Sequence, residues 1–126
     1  MKQWIEYIKK FVPNARIGKI QGNIIDIEDK DIILGMLESI AMRDYSTEIF
    51  KDIKFTCVDE VHRIGCEVFS RALFKINSEF MLGLSATVER KDGLTKIFKW
   101  SFGEVIYSVK REDKGLIPLV RIYKYY

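Results

Sequence analysis

Cysteine is scarce in this chain, and its scarcity narrows the chemistry at once. Only Cys57 and Cys66 occur among 126 residues, with no CxxC spacing. A disulfide scaffold is therefore not expected, and the pattern suits a reducing compartment. Two separated cysteines and a single histidine, His62, cannot assemble a nitrogen and sulfur metal site. Long apolar runs are missing too: no stretch approaches the ~20 residues of a membrane span. Met1-Lys2-Gln3-Trp4 leads into an amphipathic pattern, not an apolar signal core. There is no polybasic arm, since Arg90-Lys91 and Lys110-Arg111 each sit beside acidic residues. No internal repeat or low-complexity segment occurs. The string GxxxxGK[ST] is absent as well, and with it a phosphate-cradling loop and its lysine. These absences leave the expectation of a soluble intracellular domain, cytoplasmic or nuclear.

What is present supports a packed core. Hydrophobic residues make up 48% of the chain and aromatics 13%, and the length suffices for one domain. The net charge of +3 permits contact with nucleic acid without demanding it. Trp4, Ile5, Tyr7, Ile8, Phe11 and Val12 recur at helical spacing. Pro13 ends that helix, because it disfavours helical geometry at Val12. Arg16 to Ile20 alternates as a strand closed by Gly22, and residues 24–30 read as a hairpin or loop. Asp31–Met36 predicts a strand leading into a short helix over 37–43, and Ser46 or Thr47 caps a further turn. Lys54–Val58 is the next strand, with Cys57 expected as a buried thiol. Val68, Phe69, Ala72 and Leu73 form a helical stripe, and Phe80–Ser85 reads as a central parallel strand. Asp92 is the expected N-cap of a helix over Gly93–Trp100, closed by Gly103. Val105–Val109 predicts a final strand. Strands alternating with helices imply a layered parallel α/β sheet with flanking helices.

Chemistry concentrates at two strand ends. Phe55-Thr56-Cys57-Val58 runs into Asp59-Glu60-Val61-His62, and Leu82-Gly83-Leu84 runs into Ser85-Ala86-Thr87. In open α/β sheets ligands bind at the C-terminal ends of the strands. An acidic pair there suits a divalent metal beside a phosphate. Nucleotide hydrolysis uses one carboxylate to hold Mg²⁺ and another to orient or deprotonate water. Taken alone, Asp59-Glu60 is more simply a solvated acidic strand end.

The ordered strings change that balance. Asp59-Glu60-Val61-His62 resembles the DExH box, motif II, of superfamily 2 helicases, and Ser85-Ala86-Thr87 resembles their motif III. The longer strings, Asp59 to Gly65 and Leu82 to Leu94, are similar to the XPB/UvsW-like branch and its large-DNA-virus relatives. Phe11 to Gly22 and Asp31 to Ile40 resemble that branch's segments after motif Ia and along the tracked strand. The resemblance implies a RecA-like fold in which residues 1–115 are the C-terminal part of the first domain, motifs Ib to III. Residues 116–126 would be an exit strand or interdomain linker. It implies that the P-loop strand and helix are absent and that the sheet is truncated. It implies Asp59 as the acid linked to Mg²⁺ and Glu60 as the water-activating acid, the two lying against ATP. His62 would couple the nucleotide site to motif III. Ser85 and Thr87 would relay its state to the nucleic-acid cleft. Gln21, Gly22, Ser39 and Arg63 would face the nucleic-acid backbone, with DNA the expected track. ATP and Mg²⁺ are the cofactors of the full-length family, and tight binding to this chain alone is not expected. The implied function is that of a fragment of an ATP-dependent helicase or translocase, inactive alone. A separate polypeptide with the P-loop or second RecA-like domain would be its partner, and a virion or viral factory its setting if viral. The alternative is a non-catalytic module that binds nucleic acid or a helicase.

Overall fold

A computed structural model describes residues 1–61, 66–86 and 94–109. Helix α1, Lys2–Phe11, follows from the apolar spacing at its start, and Lys9 and Lys10 in its last turn suit the helix dipole. The Val12 amide closes it on the Ile8 carbonyl at 2.7 Å. Its apolar stripe is largely uncovered: only Ile8 is buried, while Tyr7 and Phe11 are exposed.

Strands β1, Ile17–Gln21, and β2, Ile24–Asp26, form an antiparallel hairpin in which Gln21 pairs with Ile24. The two-residue turn depends on Gly22, whose φ of +59° is left-handed backbone that glycine adopts without steric cost. Strand β3, Ile32–Gly35, returns parallel to β1 on its other side, giving the order β2-β1-β3. A β-carbon at Gly18 would lie 2.2 Å from the Asp26 carbonyl oxygen, so only glycine admits β2 and Lys30 this closely. Arg16 and Asp31 tie the entrances of β1 and β3 together by a fork: Nε and Nη2 donate to the carboxylate at 3.0 and 2.8 Å. The Arg16 amide donates to the same carboxylate at 2.8 Å.

Helix α2, Leu37–Met42, follows β3, and a 3-10 turn, Thr47–Phe50, is capped by Ser46. Strands β4, Phe55–Val58, and β5, Phe80–Gly83, pair in parallel, joined by helix α3, Cys66–Ile76. Helix α4, Leu94–Phe102, completes the described elements and ends at Gly103 with φ +81°. Ile20, Ile40, Ala41, Tyr45, Phe50, Ala72 and Ile76 form the larger core under β1, α2 and α3. Val58, Val61, Phe69 and Phe98 form the second, and Leu37 packs against both. Phe69 is fully buried and meets Phe98 edge-on at 5.2 Å. Burying a phenylalanine side chain stabilises by about 1.5–3 kcal/mol. Lys75 secures α3 to α2, its Nζ donating to the carbonyls of Ile40, Ala41 and Arg43 at 2.9, 3.4 and 2.5 Å. Those carbonyls end a helix and have no helical amide to accept from.

The architecture is α/β with parallel and mixed sheets and flanking helices, as the alternating pattern predicts. Some expectations fail. Among the described residues the strands form a three-stranded and a two-stranded sheet rather than one layer. Among the described residues β5 is therefore not a covered central strand: Phe80 and its partner Phe55 are both exposed. Cys57 is exposed, not buried, because it shares the β4 face of Phe55, which no described helix covers. Val105–Val109 forms no strand, and all of Val105, Ile106, Tyr107 and Val109 are exposed. Alternating residues suit a strand, but a strand also needs a neighbouring backbone to bond. The expected N-cap Asp92 and the tail from 116 lie outside the described residues.

Candidate functional site

The parallel register sets the two candidate strand ends side by side. Val58 pairs with Gly83, and the ladder continues beyond both strands. The Leu84 amide donates to the Val58 carbonyl at 2.8 Å, and the Val61 amide donates to the Leu84 carbonyl at 3.1 Å. Asp59 and Glu60 therefore emerge next to Ser85 at one edge, and all three are exposed. The chain turns sharply there. Glu60 takes φ +55°, unusual for a residue with a side chain. Its amide points back and donates to Asp59 Oδ1 at 2.9 Å. Asp59 Oδ2 accepts from the indole Nε1 of Trp4 at 3.0 Å, across 55 positions of sequence. Upstream of this pair, Cys57 is exposed, although its thiol is partly covered. That partial burial, and after it the Asp59 charge, push the thiol pKa up.

Among the described residues no three histidine, cysteine or acidic side chains gather as a metal cage. Asp59 and Glu60 instead offer exposed, hard oxygen donors on adjacent residues. That donor set fits magnesium, which commonly takes one or two carboxylates and completes its shell with water and phosphate.

A second cluster forms at the β1–β2 turn. The Gly22 amide donates to Ser39 Oγ at 3.4 Å, and the Tyr45 hydroxyl donates to the Gly22 carbonyl at 2.5 Å. Arg43 Nη1 donates to Asn23 Oδ1. Gln21, Gly22 and Ser39, predicted from separate stretches, are thus brought together on one turn. His62, Arg63 and Thr87 lie outside the described residues. A groove of about 290 Å³ between α1 and the larger sheet is lined by Met1, Ile5, Ile17 and Leu34, among others, and involves neither cluster.

The sequence of this chain matches a family described as "Type III restriction enzyme, res subunit" over residues 1–90. The chain belongs to that family. The matched stretch carries both candidate strand ends. A protein of Acanthamoeba polyphaga mimivirus assigned as an ATP-dependent RNA helicase is 33% identical over 121 residues, covering 96% of this chain and 23% of the relative. A protein of Invertebrate iridescent virus 3 assigned as a helicase is 25% identical over 126 residues, covering 96% of this chain and 38% of the relative. One of Escherichia phage T5, also assigned as a helicase, is 30% identical over 110 residues, covering 85% of this chain and 23% of the relative. The resemblance to superfamily 2 helicases is therefore borne out, with this chain matching less than two-fifths of each of these relatives.

Two residues at these clusters escape a reading by sequence. Trp4 reads as one more apolar residue of an amphipathic helix, and nothing local marks its indole as a partner for Asp59. Arg43 reads as an ordinary surface arginine. Only the packing of α2 against the turn brings it to Asn23.

Proposed function

We propose that residues 1–115 form the motif Ib to III part of the first RecA-like domain of an ATP-dependent nucleic-acid helicase or translocase. Residues 116–126 would then be its exit strand or linker. The observation that carries this reading is the shared edge of β4 and β5, which sets Asp59 and Glu60 beside Ser85. A nucleotide site needs its acids and its relay at one sheet edge. In this reading Asp59 holds Mg²⁺ and Glu60 orients the attacking water. When bound, the metal neutralises charge on the transferring phosphoryl group. Ser85, with Thr87 and His62, passes the state of that edge towards the nucleic acid. The lack of GxxxxGK[ST] in these residues favours a second reading for the chain by itself, binding without turnover.

The Gly22 turn is our candidate contact with the phosphate backbone, together with Arg63. Arg43 is held there by a neutral amide, which positions the guanidinium without cancelling its charge. We assign DNA as the track. The name of the mimivirus relative gives RNA, so both belong in the test.

Fluorescence anisotropy with a labelled single strand, as DNA and as RNA, at two salt concentrations provides that test. Binding without sequence preference is expected, with a dissociation constant of about 10⁻⁴ to 10⁻⁶ M. R43A should flatten the salt dependence by about 0.7 in logarithmic slope, the share of one phosphate contact on a single strand. Tight, salt-insensitive, sequence-selective binding would overturn the helicase reading.

A further inference from the structure

We infer that Trp4 is the positioning residue of the metal-linked acid. Its indole N–H holds the Asp59 carboxylate in the orientation in which it takes a divalent cation. The inference rests on the nucleotide-site reading above and goes beyond it, since Trp4 belongs to none of the resembling motifs.

The geometry is specific. Asp59 Oδ2 accepts from Trp4 Nε1 at 3.0 Å, and Oδ1 accepts from the Glu60 amide at 2.9 Å. An ionised carboxylate has about four lone-pair positions, two on each oxygen. Among the described residues, these two donors take one on each oxygen and leave one on each for a cation or its water. Rotation of the carboxylate about its last bond would break both hydrogen bonds at once. The two donors differ in origin. The Glu60 amide is local, the backbone N–H of the next residue in the chain. The indole arrives from α1, a helix whose only buried side chain is Ile8. The orientation of the acid is therefore tied to the seating of α1, and occupation of Asp59 by a cation is felt at Trp4. Outer partners that orient a metal-binding group commonly change metal affinity by 10- to 100-fold.

Tryptophan occurs only at positions 4 and 100, so the indole N–H signals in a ¹⁵N-resolved NMR spectrum of the 126-residue chain report Trp4 against an internal control. D59N should move the Trp4 indole signal and leave that of Trp100 in place. Titration with Mn²⁺ alone should broaden the Trp4 indole and the amides around Asp59 before the Trp100 indole. W4F should weaken that Mn²⁺ site by about tenfold. An unmoved Trp4 signal in D59N overturns the positioning role and leaves the metal reading standing. The positioning role falls equally if Mn²⁺ broadens the Asp59 amides to the same extent in W4F and in the parent chain. If Mn²⁺ reaches neither Asp59 nor Trp4, the metal reading fails, and this inference with it.

Discussion

Glu60 occupies a conformation that its side chain opposes. Left-handed backbone at a residue with a β-carbon costs roughly 1–2 kcal/mol, and such positions gather at functional sites. The turn at φ +55° carries the chain on so that the β4–β5 ladder continues through Val61, just after the Glu60 amide has donated to Asp59 Oδ1. Glycine adopts this backbone conformation without that steric cost. E60G should therefore be more stable than E60A by about 1 kcal/mol, with a melting temperature higher by a few degrees. E60A, which keeps the β-carbon, should show no gain. Thermal unfolding of the three chains followed by circular dichroism checks this. Equal melting temperatures for E60A and E60G would mean that the backbone at 60 is not strained.

At the scale of elements, the larger sheet is held at its entrance by Arg16 and Asp31, which join the first residues of β1 and β3. The Arg16 side chain, and after it the Arg16 amide, hold the Asp31 carboxyl well below the usual carboxylate range. A carboxylate whose folded pKa is depressed stabilises fully above its unfolded pKa, about 3.9, and loses that contribution as the pH falls towards the folded value. Urea unfolding should thus show the parent chain more stable than D31N at pH 7, with the gap shrinking below about pH 4. A gap that stays constant down to about pH 2 would contradict the pairing. The pair is exposed on both sides, so its contribution is also screened by salt.

At the scale of the whole molecule, Asp59 and Glu60 stand exposed on the β4–β5 edge formed by the described residues. Nucleotide hydrolysis needs phosphate cradling and transition-state charge stabilisation, each supplying large factors in rate. The 126 residues contain no GxxxxGK[ST] string to cradle phosphate. A phosphate-release assay with Mg²⁺, ATP and single-stranded or duplex nucleic acid should therefore show no turnover by this chain. Turnover that disappears in E60Q would refute that expectation and assign catalysis to this edge alone. The order of elements was readable along most of the described chain. Helices at 2–11 and 66–76 and strands at 17–21, 32–35, 55–58 and 80–83 follow from apolar spacing and glycine or proline stops. Helix α4 runs two residues past the predicted end at Trp100, to Phe102, because Phe102 gains contact with Phe69 and Gly83.

Sequence alone determined that Asp59-Glu60 and Ser85 stand at the ends of two apolar strands, because run length and polarity are local properties. It also determined the family, because whole strings carry more information than spacing does. Tertiary structure alone decided what those residues touch. The meeting of Trp4 with Asp59, of Gly22 with Ser39 and of Arg43 with Asn23 joins residues 17 to 55 positions apart. It decided equally that Cys57 is exposed and that the described strands split into two sheets. Burial and pairing depend on which neighbours cover a face or offer a free backbone edge. Periodicity marks a face as apolar, but it does not say what will lie against it.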